Sequence, residues 1–282
     1  MSVVAATVVF VVAGINVRYI AASIIHGNFA LNSGAIIFSE ESGFYEEKFY
    51  LSIYAPTEEI YYTLDGTEPT KESLKYESPI LIQDASNNPN MYSMRTDVSA
   101  GLLTDEFIEN GGNVFGYQAP GYKIDKCTVI KAVYFDKNGN KSKTAERLFF
   151  VGFGEKLGYD NVNIISITTD PENLFDDNAG IYVLGNKFQE FYDAGTLDSE
   201  EYPNLEHWEW WSANYHEGGQ EWERESYIQV FDESKNLVLE QNAGIRIQGG
   251  GSRGFLPKSL NIYAREEYGE NKLYYDFWGT GY

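Results

Sequence analysis

The chain has 282 residues, 43% of them hydrophobic and 16% aromatic, enough for one large or two ordinary cored domains. Its formal net charge is −21, with a pI near 4.5, which argues against nucleic acid or an anionic membrane surface as a partner. Its 22 tyrosines and 27 glycines favour strands joined by turns. The single cysteine rules out an intrachain disulfide; Cys127 lies in a strand-like pattern and reads as a small core residue.

Residues 3–25 are apolar except around Asn16 and Arg18. Together they are long enough to span a bilayer, with the cost of Arg18 eased by its off-centre place. The basic start of a signal peptide is missing. Residues 1–30 are therefore expected to be an export segment or a membrane anchor, with an apolar strand or a tail without function as the alternative.

Residues 35–153 read as all-β. Strands are expected at 49–53, 60–64, 75–82, 129–135 and 143–151, with the Ser78-Pro79 step placing the third at a sheet edge. The Asp65-Gly66 and Asp136-Lys-Asn-Gly-Asn stretches carry turn chemistry, the second with the composition of a weak calcium loop. This pattern predicts a β-sandwich. Residues 83–126 read as an insertion into it, with a short helix at 104–109, and the glycines of 152–158 read as a linker.

In the last part, Asp170, Asp176 and Asp177 sit in Thr-Asp-Pro and Asp-Asp-Asn-Ala-Gly runs, where turn and cap roles are expected. A short helix is predicted at 188–192 and a surface loop at 195–203. Trp208, Trp210, Trp211 and Trp222, with His207 and Tyr215, are expected to pack a core rather than to stack on sugars. His207 and His216 lack the partners of a metal site, so no metal-ligating residue is predicted.

Residues 242–268 read strand, glycine-rich turn, strand. Ile245 and Ile247 alternate with Arg246 and Gln248; Gly249, Gly250 and Gly251 follow; then Lys258, Leu260 and Ile262 share one face. Glycines leave room for a ligand or another backbone to approach. A lysine on an apolar strand face is unusual unless paired. Two readings of Lys258 stay open on the pattern: it snorkels to water at the strand end, or it meets a phosphate group.

Three blocks, NIISITTDPENLFDDNAGIYVLGN, EWERESYIQVFD and GIRIQGGGSRGFLPKSLNIYAREEYG, stand in this order between residues 163 and 269. They resemble the amino-terminal part of CotH-type protein kinases, atypical kinases acting on serine-rich spore-coat proteins. Segments FSEESGFYEEKFYLSIYAP, EIYYTLDGTEPT, YESPILI and VIKAVYFDKNGNKS resemble the immunoglobulin-like domain at the carboxyl end of chitobiases and hexosaminidases.

These resemblances imply an immunoglobulin-like β-sandwich over 35–153 and, over 159–282, a truncated kinase-like amino-terminal lobe of α+β character, in a mainly β protein. They imply ATP and magnesium as cofactors, with Lys258 on the phosphates, Gly249, Gly250, Gly251 and Arg253 beside them, and Arg246 or Arg253 adding charge. The family's magnesium motif lies downstream of the glycine-rich block, and nothing up to Tyr282 matches it. No catalytic residue is assigned, and the chain by itself is expected to transfer no phosphate. The implied setting is extracytoplasmic, at a bacterial cell surface, with a protein substrate or a cell-surface component as partner and residues 3–25 as a membrane tether. The alternative is a non-catalytic surface scaffold for protein or polysaccharide.

Overall fold

The computed structural model describes residues 26, 30, 34–57, 59–103, 119–154, 156, 158–195, 209–277 and 279. The apolar segment 3–25, the helix expected at 104–109, most of the loop 195–203, His207 and Trp208 lie outside them. Among the described residues no helix is long and apolar enough to cross a membrane. The chain is mostly β with few helices and divides into two compact units, Met1–Gln83 with Thr128–Val151, and Asp84–Cys127 with Gly152–Tyr282.

The first unit contains nine strands among the described residues: β1 (Ile37–Phe38), β2 (Gly43–Tyr45), β3 (Phe49–Leu51), β4 (Ile53–Tyr54), β5 (Ile60–Thr63), β6 (Leu74–Lys75), β7 (Ile80–Ile82), β8 (Thr128–Tyr134) and β9 (Ala145–Val151). Five form a sheet in the order β2-β9-β8-β5-β6, with β2 parallel to β9 and the other pairs antiparallel. The pairs β1-β4 and β3-β7 stand apart from it. Alternation builds the core: Leu51, Ile80 and Ile82 point inward with Ile60, Ile130, Ala132, Phe149 and Val151, while Tyr50 and Leu81 face out.

Two expected strands prove to be composite. The stretch 49–53 changes partner at Ser52, whose amide donates to Ser39 Oγ at 2.9 Å: β3 pairs with β7, and β4 with β1. The stretch 75–82 is broken at Ser78-Pro79, leaving β6 at the edge of the large sheet and β7 on β3. Proline lacks the donor that a continuous ladder needs. The two acidic turns act as turns. Asp136 Oδ1 accepts the amides of Asn138 and Asn140, each at 2.8 Å, with Gly139 at φ 82°; the Asn140 side-chain amide on Oδ2 at 2.9 Å, and then these backbone bonds, hold the carboxyl below its ordinary range. Asp65 Oδ1 accepts from the Thr67 hydroxyl at 2.6 Å.

The second unit carries an antiparallel meander, β10 (Ile164–Thr168), β11 (Arg224–Phe231), β12 (Leu237–Gln248) and β13 (Ser259–Tyr263), with the short helix α1 (Pro171–Phe175) and the helix α2 (Gly185–Asp193). Ile228, Val230, Leu239, Ala243, Ile245 and Ile247 bury one sheet face in a core shared with Ile181, Leu184, Trp211 and Tyr215. Phe188 and Phe191 of α2 lie 6.2 and 6.4 Å from the Trp211 ring, so Trp211 packs the core as expected. Asp170 caps α1 through the Glu172 amide at 2.9 Å, and Asp176 accepts the amides of Asn178 and Ala179 at 2.9 and 2.8 Å.

The segment 84–127, which reads from sequence as an insertion in the sandwich, belongs to this second unit. The Asp97 carbonyl accepts from the Leu184 amide at 2.8 Å, Ala100 joins the core, and Tyr92 stacks on Phe175 at 4.6 Å. Nor is the start of 152–158 a free linker. Lys156 Nζ lies 3.0 Å from Asp84 Oδ1 and 3.4 Å from Asp125 Oδ1, and also bonds Ser86 Oγ at 2.5 Å.

Candidate functional site

The hairpin of β12 and β13 has the alternation read from the sequence. Gln248 pairs with Ser259, Ile247 with Leu260 and Ile245 with Ile262, so the apolar side chains fall on the core face. Arg246 pairs with Asn261 and therefore points to the opposite face from Lys258. There Arg246 lies 3.9 Å from Glu223 and Arg265 grips the same fully buried carboxylate at 2.8 and 3.1 Å. The face rule thus removes Arg246 from the group around Lys258. Glu223 sits directly over Gly244, where a Cβ would meet its Oε1 at 2.3 Å.

The turn between the strands brings Gly249, Gly250, Gly251, Arg253 and Lys258 together. Gly249 has φ 120°, a conformation open to glycine and strained for other residues. Gly250 and Gly251 lie under the indole of Trp210, which stays 59% exposed; a Cβ on Gly251 would sit 2.9 Å from Trp210 Cζ2. The close approach that the sequence predicts is thus made at least in part by a protein side chain. Residues 251–254 coil into a 3-10 turn that leads to β13.

Arg253 folds back on the turn. Its Nε donates to the Gly249 carbonyl at 2.7 Å, and Nη1 to the carbonyls of His216 and Glu217 at 2.8 and 3.0 Å. Lys258 does not snorkel; it is 7% exposed. Its Nζ donates to the carbonyls of Arg253 and, at 3.5 Å, Phe255, and lies 3.7 Å from the Tyr215 ring centre and 5.5 Å from that of Tyr182. The Lys258 amide donates to the Tyr182 hydroxyl at 3.0 Å. No carboxylate pairs with the ammonium among the described residues.

Burial pushes the Lys258 amine down to about 7. Burial, and then the charges of Lys258 and Arg253, push His216 down to about 4, so its ring is neutral at physiological pH. Burial pushes the Tyr215 phenol up to about 12. The outcome is one cationic site of adjustable charge, walled by neutral rings and backbone carbonyls. Such a group suits a phosphate or carboxylate oxygen, which would hold the proton on the amine. Among the described residues no three acidic, histidine or cysteine side chains are grouped to hold a metal ion.

Sequence reasoning missed Tyr182 and Tyr215 as walls of the lysine, and Ser99 and Ala100 behind them. No local pattern marks these contacts, because they join segments 76 to 155 residues apart. His216 stood out only as a lone histidine.

The architecture is that of a β-sandwich module joined to a second, mixed unit that holds a buried lysine beside a glycine turn. A sequence model described as Fn3 associated matches residues 50–149, from β3 to β9 and including 84–127, so the chain carries an Fn3-associated domain of the sandwich type. No curated protein and no solved structure matches the chain.

Proposed function

We propose that the second unit is the phosphate-gripping lobe of an atypical protein kinase of the CotH type, with Lys258 as the group that meets the nucleotide phosphates. The observation that supports this reading is a lysine buried at the root of a glycine turn with no carboxylate among the described residues to neutralise it. A buried amine in that state gains charge and a partner at once when an anion arrives. Bound ATP would supply the phosphoryl group for transfer to a protein hydroxyl. The chain's own contribution is to orient phosphate oxygens on the Lys258 ammonium. On the same reading the sandwich domain is immunoglobulin-like, and the protein works outside the cytoplasm, at a cell surface, tethered or exported through residues 3–25.

The test is equilibrium binding of a fluorescent ATP analogue to the chain and to Lys258→Met. A charge-assisted hydrogen bond contributes about 1.5–3 kcal/mol, so the variant should bind at least roughly tenfold more weakly. Equal binding by the two proteins, or none by the wild type, removes Lys258 from this role. A second reading, a non-catalytic binding or scaffold protein, is favoured by one arrangement. Arg253 and Lys258 are already bonded to backbone carbonyls, and Trp210 covers Gly251 while remaining largely exposed. Absence of nucleotide binding by the wild type would select it.

A further inference from the structure

Three contacts reach the walls of the Lys258 cage from one stretch of chain that lies, in sequence, between strands β7 and β8 of the sandwich. Ser99 is 3% exposed, and its hydroxyl donates to the Gly254 carbonyl at 2.5 Å, next to the Arg253 carbonyl that holds Lys258. The Ala100 amide donates to the Tyr215 hydroxyl at 3.2 Å, and Tyr215 presents its ring to the ammonium. The Asp97 carbonyl accepts from Leu184, two residues beyond Tyr182. Arg95 fixes the stretch from below through Asp97 at 2.9 Å and the Phe175 carbonyl at 3.4 Å.

These contacts differ from ordinary packing. A buried serine hydroxyl and a buried amide must find partners; here one partner, Tyr215, faces the amine, and the other, Gly254, lies between the two residues whose carbonyls bind it. Tyr215 is wholly buried and has few ways to shift. Holding its hydroxyl fixes the ring plane over Nζ. Holding the Gly254 carbonyl fixes the peptide next to the carbonyl that Nζ uses.

We propose that residues 95–103, although spliced into the Fn3-associated sandwich, are a positioning element for the Lys258 site, acting through Ser99 and the Ala100 amide. The chain inserted between β7 and β8 is then a contributor to that site rather than a spacer. The inference concerns the setting of the amine and goes beyond the nucleotide reading; a protein that bound no ATP would leave it standing.

The test follows the titration of Lys258 by NMR in the full chain labelled at lysine, with the signal assigned by its loss in Lys258→Met. Ser99→Ala and Tyr215→Phe each remove one link of the element. Each should raise the midpoint from about 7 towards the ordinary lysine value, by about one pH unit or more, as water reaches a loosened cage. Leu239→Ala, in the same core but outside these links, serves as the control and should lower the melting temperature without moving the midpoint. Tyr215→Phe keeps the ring and the core volume, so it remains informative if Ser99→Ala fails to fold. Ser99→Thr, which keeps the hydroxyl, should return the midpoint to the wild-type value. Midpoints unchanged in both Ser99→Ala and Tyr215→Phe, whatever their melting temperatures, would overturn the proposal.

Discussion

Replacing Lys258 by methionine should change how the stability of the second unit depends on pH. The amine falls from 10.5 to about 7 on burial, a difference of roughly 5 kcal/mol between its protonation states. Between these values the unfolded chain carries the proton and the folded chain does not. Stability therefore rises with pH across this window, by up to about 1.4 kcal/mol per pH unit. From pH 7 to pH 9, Lys258 alone should add about 2–3 kcal/mol. Methionine keeps the bulk of the stem and cannot titrate, so Lys258→Met should lack that rise. All five tryptophans lie beyond residue 152, within the second unit. Urea unfolding followed by tryptophan emission at pH 7, 8 and 9 therefore reports that unit by itself. The difference between wild type and variant cancels the repulsion arising from the chain's net charge. Parallel pH profiles for the two proteins would refute the reasoning, because they would mean that the folded amine titrates like a solvated one.

Three further outcomes follow from particular contacts. His216 is held neutral down to about pH 4, below its ordinary value. Lowering the pH from 6.5 to 4 should therefore destabilise the second unit through this group, and His216→Gln should flatten that part of the urea profile. Gly251→Ala puts a Cβ 2.9 Å from Trp210; the indole should swing away, changing the emission spectrum, with a stability loss of about 1 kcal/mol, whereas an unaltered spectrum would contradict the stacked pose. Gly244→Ala meets the buried Glu223 carboxylate at 2.3 Å and should cost about 3 kcal/mol or more in the same assay, since neither the sheet nor the ion pair can give way freely.

The parts of the fold that depend on neighbours in sequence were legible. Period-2 alternation located β12 and β13, apolar runs between turns located β8 and β9, and the Asp65 and Asp136 turns took their expected bonds. Ser78-Pro79 marked a real break, but alternation could not show that the strands on either side go to different sheets. Partner choice is a long-range matter, as it is at Ser52. The same limit applies around Lys258. The sequence put it on the apolar face and beside the glycine turn, which is where it lies. It could not show that the glycines sit under Trp210, that Arg246 serves Glu223 on the other face, or that the cage is completed from residue 99. The allocation of 84–127 was illegible for a related reason: polar, turn-rich chain gives no period, and only contacts such as Ala100 with Tyr215 reveal which core it serves.

The polypeptide passes between its two units three times, near residues 83, 127 and 151, and Lys156 fastens the strands of these passages just inside the second unit, at Asp84, Ser86 and Asp125. The domains are therefore laced rather than strung like beads. A protease that nicks one passage leaves the two units joined through the other two. Recombination meets the same obstacle: a foreign sandwich grafted at a single junction near residue 151 would arrive without Ala100, leaving the Tyr215 hydroxyl unanswered in a closed core. A graft that keeps this bond has to carry 84–127 along with the sandwich, even though each unit has a core of its own.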